Sequence, residues 1–340
     1  MMDWINGDGP DNDIVLSSRV RLARNIRGMP FPHRLDGQGA AKVVGTVKEA
    51  IDRNPILARD FKLTALKDIP RLEAMVYVEN HLISPALFER REVSAVFLRK
   101  DSRVSIMVNE EDHIRMQVLL PGLQLEECWD LANKIDDVLE ETIDYAFDEN
   151  MGYLTACPTN TGTGMRASVM VHLPALVLTG QFNRVSQALG QLGLAVRGIY
   201  GEGTEIVGNL VQISNQLTLG KSEEHIIEGL KGMTREIINK EKRARDALMA
   251  SNKVALEDKV GRAYGLLTGA RVISSRELMD LLSDVRLGVG LKLLDGVSRK
   301  ALNEIMLVSQ PASLQKIAGK QLSDTERDVF RSEFIRNKLK

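Results

Sequence analysis

Hydrophobic and polar positions first settle into a helical rhythm over residues about 38–53. Apolar, β-branched stretches follow at Leu72–Glu79, Val93–Arg99 and Val104–Asn109, the last two divided by a Lys100-Asp101-Ser102 turn. Their period-two alternation predicts paired, antiparallel strands. A long amphipathic helix is expected over Leu125–Ala146, where Leu131, Ile135, Val138, Leu139 and Ile143 recur near helical spacing. Further strands are predicted at Met165–His172, Leu194–Tyr200 and Ile206–Ser214, with a helix at Pro174–Leu192 between the first two. Beyond about Lys221 the texture changes. Helical runs take over at Glu223–Ser251, Leu256–Leu267, Ser274–Leu282, Ser298–Val308 and Ser323–Lys338, each with a Ser, Asp or Thr start signal nearby. The expected fold class is α+β: a mainly antiparallel sheet flanked by helices over residues 1–225, then an all-helical domain over residues 226–340.

Composition narrows the classes. A chain of 340 residues has room for about two domains, and 44% apolar with 27% charged residues is an ordinary globular balance. A formal net charge of −1 gives no global positive field to draw nucleic acid or an anionic membrane, so neither is expected as a partner. No apolar stretch approaches the roughly 20 residues of a membrane span. Met1 to Asp13 carries four acids and no apolar run, so a leader peptide is not expected and the cytoplasm is the default location. Cys128 and Cys157 are too isolated for a disulfide framework or a CxxC metal site.

The common nucleotide signatures fail: there is no GxxxxGK(S/T), Gly201-Glu202-Gly203-Thr204-Glu205-Ile206 lacks the third glycine of a dinucleotide turn, and HExxH is absent. A triphosphate would need another grip, for which arginines are the natural donors. Ser17-Ser18-Arg19-Val20-Arg21 would put two guanidinium groups on one face of an extended segment. Taken alone it reads equally as a solvated basic stretch. Asn109-Glu110-Glu111-Asp112-His113-Ile114-Arg115 sets three carboxylates beside a cation. It is either a surface turn or a place where one carboxylate meets a cationic substrate while Arg115 meets phosphate. In Cys157-Pro158-Thr159-Asn160-Thr161-Gly162-Thr163-Gly164-Met165-Arg166-Ala167, hydroxyl and backbone donors stand near a thiol and an arginine opens the next strand. Arg197-Gly198-Ile199-Tyr200-Gly201-Glu202-Gly203 ends a strand in a glycine-rich turn that allows close backbone approach to a ligand, or serves an ordinary hairpin.

Together and in this order, these four stretches resemble the nucleotide and guanidinium motifs of the phosphagen (ATP:guanidino) kinases, over roughly residues 10–215. Those kinases carry a helical N-terminal domain, for which the start of the first motif at Ser17 leaves no room. A helical C-terminal extension follows instead, a layout that resembles the bacterial protein arginine kinases of the McsB type. The resemblance implies transfer of the ATP γ-phosphoryl group to arginine side chains of proteins. It implies Glu111 and Glu202 as catalytic carboxylates, with Cys157 tuning the site. ATP, bringing Mg²⁺ with it, would meet Ser17, Ser18, Arg19, Val20, Arg21, Arg115, Arg166, Ala167, Ser168, Val169, Met170, Arg197, Gly198, Ile199, Tyr200, Gly201 and Glu202, with His81 at the adenine end. A phosphoarginine-binding allosteric motif would lie at Arg327, Asp328, Val329, Phe330, Arg331 and Ser332, where serine replaces the family's final alanine. Also implied are a homodimer through the helical domain, protein substrates with exposed arginines, a zinc-binding activator protein, a heat-shock repressor, and a Clp-type protease acting on marked proteins in a stress response. The rival expectations are a kinase of a small guanidino metabolite and a catalytically silent phosphoarginine-binding adaptor.

Overall fold

A computed structural model describes residues 3–198 and 206–339. After a short 3-10 turn at Asp3–Asn6 the elements run β1 (Val15–Arg24), α1 (Gly37–Arg53), α2 (Pro55–Asp60), β2 (Phe61–Ala65), α3 (Arg71–Glu79), α4 (Pro85–Glu89), β3 (Ala95–Arg99), β4 (Val104–Val108), β5 (Ile114–Pro121) and α5 (Leu125–Glu140). They continue with β6 (Phe147–Asp148), β7 (Gly152–Tyr153), β8 (Met165–His172), α6 (Pro174–Leu178), α7 (Phe182–Gln191), β9 (Leu194–Gly198) and β10 (Leu210–Asn215). Five helices close the chain: α8 (Glu223–Gly269), α9 (Ser275–Gly290), α10 (Arg299–Val308), α11 (Pro311–Ala318) and α12 (Asp324–Leu339).

Among the described residues, eight strands form one sheet in the order β2-β3-β4-β5-β1-β8-β10-β9, every neighbour antiparallel. The expected α+β class holds. Successive side chains of a strand point to opposite faces, and directly paired residues share one. Val20, Leu22, Met116, Val118, Ala167 and Val169 therefore fall on one face and are buried under α1, α5 and the first half of α8. Each of the valine, leucine and methionine side chains among them contributes about 1.5–3 kcal/mol on leaving water. The opposite face carries Arg19, Arg21, Arg166 and Gln117, with Arg21 directly across from both Arg166 and Gln117. One end of this polar face is covered by the second core, where α9, α10, α12 and the end of α8 close over Trp4, Ile5, Leu16 and Leu119.

Several sequence expectations need correction. Leu72–Glu79 forms no strand; it lies within helix α3, whose Ala74 is buried in a satellite core with Leu66, Ile83 and Leu87. Its β-branched residues misled the pattern, because packing decides between helix and strand when propensities are close. The edge strand there is β2 instead. The helix expected over Leu125–Ala146 stops at Glu140, since Tyr145 is drawn into a bridge with Ile26 and its hydroxyl donates to Asp136 Oδ1 at 3.1 Å. Pro174–Leu192 is two helices, separated where Gly180 takes a left-handed φ of 69°. The runs Glu223–Ser251 and Leu256–Leu267 join into α8 around a kink at Asn252 (φ −141°, ψ 37°). The strand expected from Ile206 begins only at Leu210; Ile199 and Tyr200, expected in the preceding strand, lie outside the described residues. The anticipated border at 225/226 falls in the first turn of α8, whose Ile226, Ile227 and Leu230 pack into the core of the sheet.

Candidate active site

Five arginines from four strands converge on the polar face: Arg19 and Arg21 from β1, Arg115 from β5, Arg166 from β8 and Arg197 from β9. Arg19 Nη2 donates to Gln212 Oε1 at 2.8 Å, and Arg166 Nε to Ser214 Oγ at 3.4 Å. Both acceptors lie on β10, which sequence reasoning did not assign to the site. Arg21 Nε is sealed from solvent without a hydrogen-bond partner among the described residues. Desolvation, then repulsion from Arg115 and Arg166, lowers the Arg19 pKa to about 10. The Arg21 guanidinium is pushed well below its ordinary range by desolvation, then by Arg19, Arg115 and Arg166, with Glu110 opposing. An anion held among these groups would relieve this repulsion, and a triphosphate supplies several negative charges.

The acid triplet sorts into three roles through the turn that carries it. Asn109 holds a left-handed φ of 64°, its side-chain amide donating to Ala40 O at 3.0 Å and Val93 O at 2.9 Å. Glu110 then points inward: it is buried, accepts from Arg115 Nη1 at 2.6 Å and from the Ser84 hydroxyl. Burial would raise its pKa, but Arg115 outweighs that and holds it low. Glu111 keeps solvent access, and its carboxyl is raised by partial desolvation and by Asp112. Asp112 is buried, with Oδ1 accepting from Asn25 Nδ2 and Ala156 N at 2.7 Å each. It thereby ties the end of β1 to the loop leading into Cys157. His113 is structural: Nδ1 accepts from Ile26 N at 3.0 Å while Nε2 lies 2.8 Å from Pro30 O, and burial lowers its pKa. Glu110 and Asp112 were visible in sequence only as neighbours of Glu111. Nothing in composition says which way each faces.

Cys157 is half-buried, with Sγ 3.0 Å from the Thr159 hydroxyl. The loop after it folds tightly: Gly162 has φ 115°, and a Cβ there would stand 2.3 Å from Thr218 O. His81, also left-handed at φ 58°, passes its carbonyl to Gln117 Nε2 at 2.6 Å. Desolvation and then Arg19 push its pKa down to about 4, so its ring adds no charge to the cluster at neutral pH.

Two cavities meet at Arg21 and Arg115. The larger, about 340 Å³, takes Arg19, Arg197 and His81; the smaller, about 220 Å³, takes Arg166, Glu111, Asp112, Cys157 and Asn160. Of the predicted ATP contacts, Ser17, Ser168 and Met170 face the same side as Arg19, whereas Ser18, Val20, Ala167 and Val169 face the other way. Ser18 donates to Gly122 O at 2.8 Å and is structural. Gly198 lies at the end of β9, and Ile199, Tyr200, Gly201 and Glu202 fall outside the described residues. The 327–332 stretch is on α12, away from both cavities. There Arg331 is buried and donates to Ser309 O at 3.0 Å, Ile273 O at 2.8 Å and Asp328, and Ser332 is buried too. Arg327 is half-buried and pairs with Asp324.

Residues 42–244 match the family of the ATP:guanido phosphotransferase C-terminal catalytic domain, and residues 253–340 match the protein-arginine kinase McsB C-terminal domain. The chain belongs to the protein-arginine kinase family. It is 51% identical to the protein-arginine kinase of Desulforamulus reducens across 99% of this chain and 95% of that protein. Identity to the protein-arginine kinase of Moorella thermoacetica is also 51%, across 99% and 97%. Among solved structures, a lombricine kinase aligns with a TM-score of 0.61 at 25% identity, over 71% of this chain and 70% of the other. A duplicated taurocyamine kinase from Schistosoma mansoni has a TM-score of 0.60 at 22% identity, over 81% of this chain and 40% of that one, and shares the fold. The resemblance drawn from four short motifs is thus that of the whole chain.

Proposed function

We propose that this chain transfers the γ-phosphoryl group of ATP to arginine side chains of other proteins. The observation that carries the reading is the junction of two cavities at Arg21 and Arg115, arginine-lined on one side and bearing Glu111 and Cys157 on the other. The triphosphate lies along Arg19, Arg21, Arg115, Arg166 and Arg197. The target guanidinium enters the smaller cavity from the solvent side, next to Glu111.

A guanidinium is a poor nucleophile because its lone pairs are delocalised and it stays protonated. Glu111 takes a proton from the target nitrogen as that nitrogen attacks the γ-phosphorus; the bond to the β–γ bridging oxygen breaks and ADP leaves. The raised carboxyl pKa makes Glu111 a stronger base than a free glutamate. Its solvent access lets the proton escape afterwards. Glu202 would act as a second clamp on the guanidinium. The arginine cluster stabilises charge on the transferring group, and Mg²⁺ carried by ATP adds to that neutralisation.

The near full-length match to proteins named protein-arginine kinases favours a protein-bound arginine over a small guanidino metabolite. From the family resemblance we extend the reading further. The helical region forms a homodimer, and the 327–332 stretch senses phosphoarginine. The mark directs proteins to a Clp-type protease in a cytosolic stress response, with a zinc-binding activator and a heat-shock repressor as partners. A ligand that recruited the Arg331 guanidinium would draw it from Ser309 O, at the end of α10. Among the described residues, no helix is long and apolar enough to cross a membrane.

The test is to incubate the protein with Mg²⁺-ATP and either an unfolded, arginine-rich protein or free arginine, then assay the product's acid lability. Acid-labile phosphate mainly on protein is expected, as a P–N bond requires. Acid-stable phosphate, or transfer mainly to the free amino acid, would sink the reading.

A further inference from the structure

The larger cavity has a wall that the catalytic sheet does not supply. Its arginine-lined part belongs to the sheet, but Val78, Ile83, Met306 and Leu307 line it as well. Met306 and Leu307 belong to α10, inside the 253–340 match rather than the 42–244 catalytic match. They are 6% and 3% exposed, fixed in the second core with Leu302 and Ile305. They are therefore a set surface, not side chains free to swing away.

A clasp holds that surface in place. Glu79, the last residue of α3, also borders the cavity. Its carboxylate accepts from Ala312 N, Ser313 N and Ser313 Oγ, each at 2.7 Å. These are the free donors of the first turn of α11, and a carboxylate there gains from charge-assisted hydrogen bonds and from the helix dipole together. The clasp reaches from residue 79, which lines the cavity, to residues 312 and 313.

A nucleotide whose phosphates lie on the arginines leaves its base for the apolar part of the same lining. Val78, Ile83, Met306 and Leu307 supply that part, with a few polar groups in the same cavity, as a purine site requires. Resting on the phosphotransfer reading above, we propose that the C-terminal helices supply half of the adenosine site. Met306 and Leu307 form the wall against which the base lies, and Glu79, by capping α11, is the positioning residue that sets the wall's place. The two family-matched parts of the chain thus share one substrate.

The experiment compares two probes on the full chain by calorimetry: ADP, which has the base, and inorganic tripolyphosphate, which has only the anion. Met306→Ala is expected to weaken ADP about tenfold, the loss of one well-packed side-chain contact, while tripolyphosphate affinity stays within about twofold. Glu79→Gln, nearly isosteric, should weaken ADP by about three- to tenfold with the same indifference to tripolyphosphate, because one strong acceptor of the cap becomes a donor. If Met306→Ala does not fold, Glu79→Gln decides. Unchanged ADP affinity in the folded variants overturns the inference, and so does a parallel loss of both probes, which would mean a general loss of cleft structure. If the parent chain itself bound no ADP, the phosphotransfer reading would fall and this inference with it. Normal parent binding with indifferent variants would remove the inference alone.

Discussion

Arg21 and Arg24 stand three residues apart on one strand and live in opposite electrostatic circumstances. Arg24 is buried and fully answered: Nε donates to Asp136 at 2.9 Å, Nη1 to Ala23 O at 2.9 Å and Thr163 O at 3.0 Å, and its guanidinium carbon lies 3.5 Å from the Tyr153 ring centre. Burial alone would lower its pKa, but Asp136 and the two tyrosines turn the shift upward. Among the described residues Arg21 Nε has no hydrogen-bond partner, Arg21 has three arginines for neighbours, and its pKa falls. Arg331 belongs with Arg24, satisfied by two carbonyls and Asp328. A buried cation with its counter-charge built in is part of the fold. One left short of counter-charge among the described residues is a candidate for holding a ligand.

The sharpest way to break this contrast is Arg21→Ala. Its kcat/KM should fall by about 10³ or more, the usual scale for an arginine that faces a transferring phosphoryl group, while the thermal midpoint holds or rises. Glu111→Ala should cost about 10²–10⁴ in kcat with nucleotide still bound, measured by transfer assay beside calorimetry. Full activity in that variant would remove Glu111 from the mechanism. Arg24→Ala should do the reverse of Arg21→Ala. By leaving Asp136 unpaired it should lose about 3–5 kcal/mol in denaturant unfolding, with the folded fraction still active.

The smallest effect sharpens the acid side. Glu111 must be ionised to act, and its pKa is raised by desolvation and by Asp112, so kcat/KM should fall as pH drops through that raised value. Asp112→Asn keeps an Oδ1 acceptor for Asn25 and Ala156 but removes the charge, so the acid limb should move to lower pH. Burial also raises the Asp112 pKa, and an acid so raised costs stability as pH climbs from its ordinary value up to the raised one, a cost that stays in full at higher pH. The variant should therefore be no less stable at neutral pH. An unmoved limb would show that Asp112 does not act on Glu111, or that Glu111 does not set the limb.

The sheet was readable where one face is continuously apolar: Met165–His172 was expected at the bounds it has. Helix α1 was legible from its spacing. By contrast β1 was noticed only as an extended basic segment, because its arginines mask the alternation of Val20 and Leu22. Residues of all four motifs line the two cavities, but the way each one faces was hidden in the sequence. Glu110, Glu111 and Asp112 are chemically similar neighbours, and only the left-handed turn at Asn109 decides which one pairs with Arg115, which stays open and which ties the Cys157 loop. Glu79 was masked by a different error. Read as the end of a strand, it gave no hint of capping a helix over two hundred residues later.

The most direct test of the contrast is calorimetric titration of Mg²⁺-ATP into the parent chain and Arg21→Ala, with thermal unfolding of both free proteins. The account predicts at least about tenfold weaker ATP binding in the variant, at a thermal midpoint equal to or above the parent's. A variant that bound ATP as tightly as the parent and melted earlier would contradict it, for Arg21 would then be one more structural arginine like Arg24.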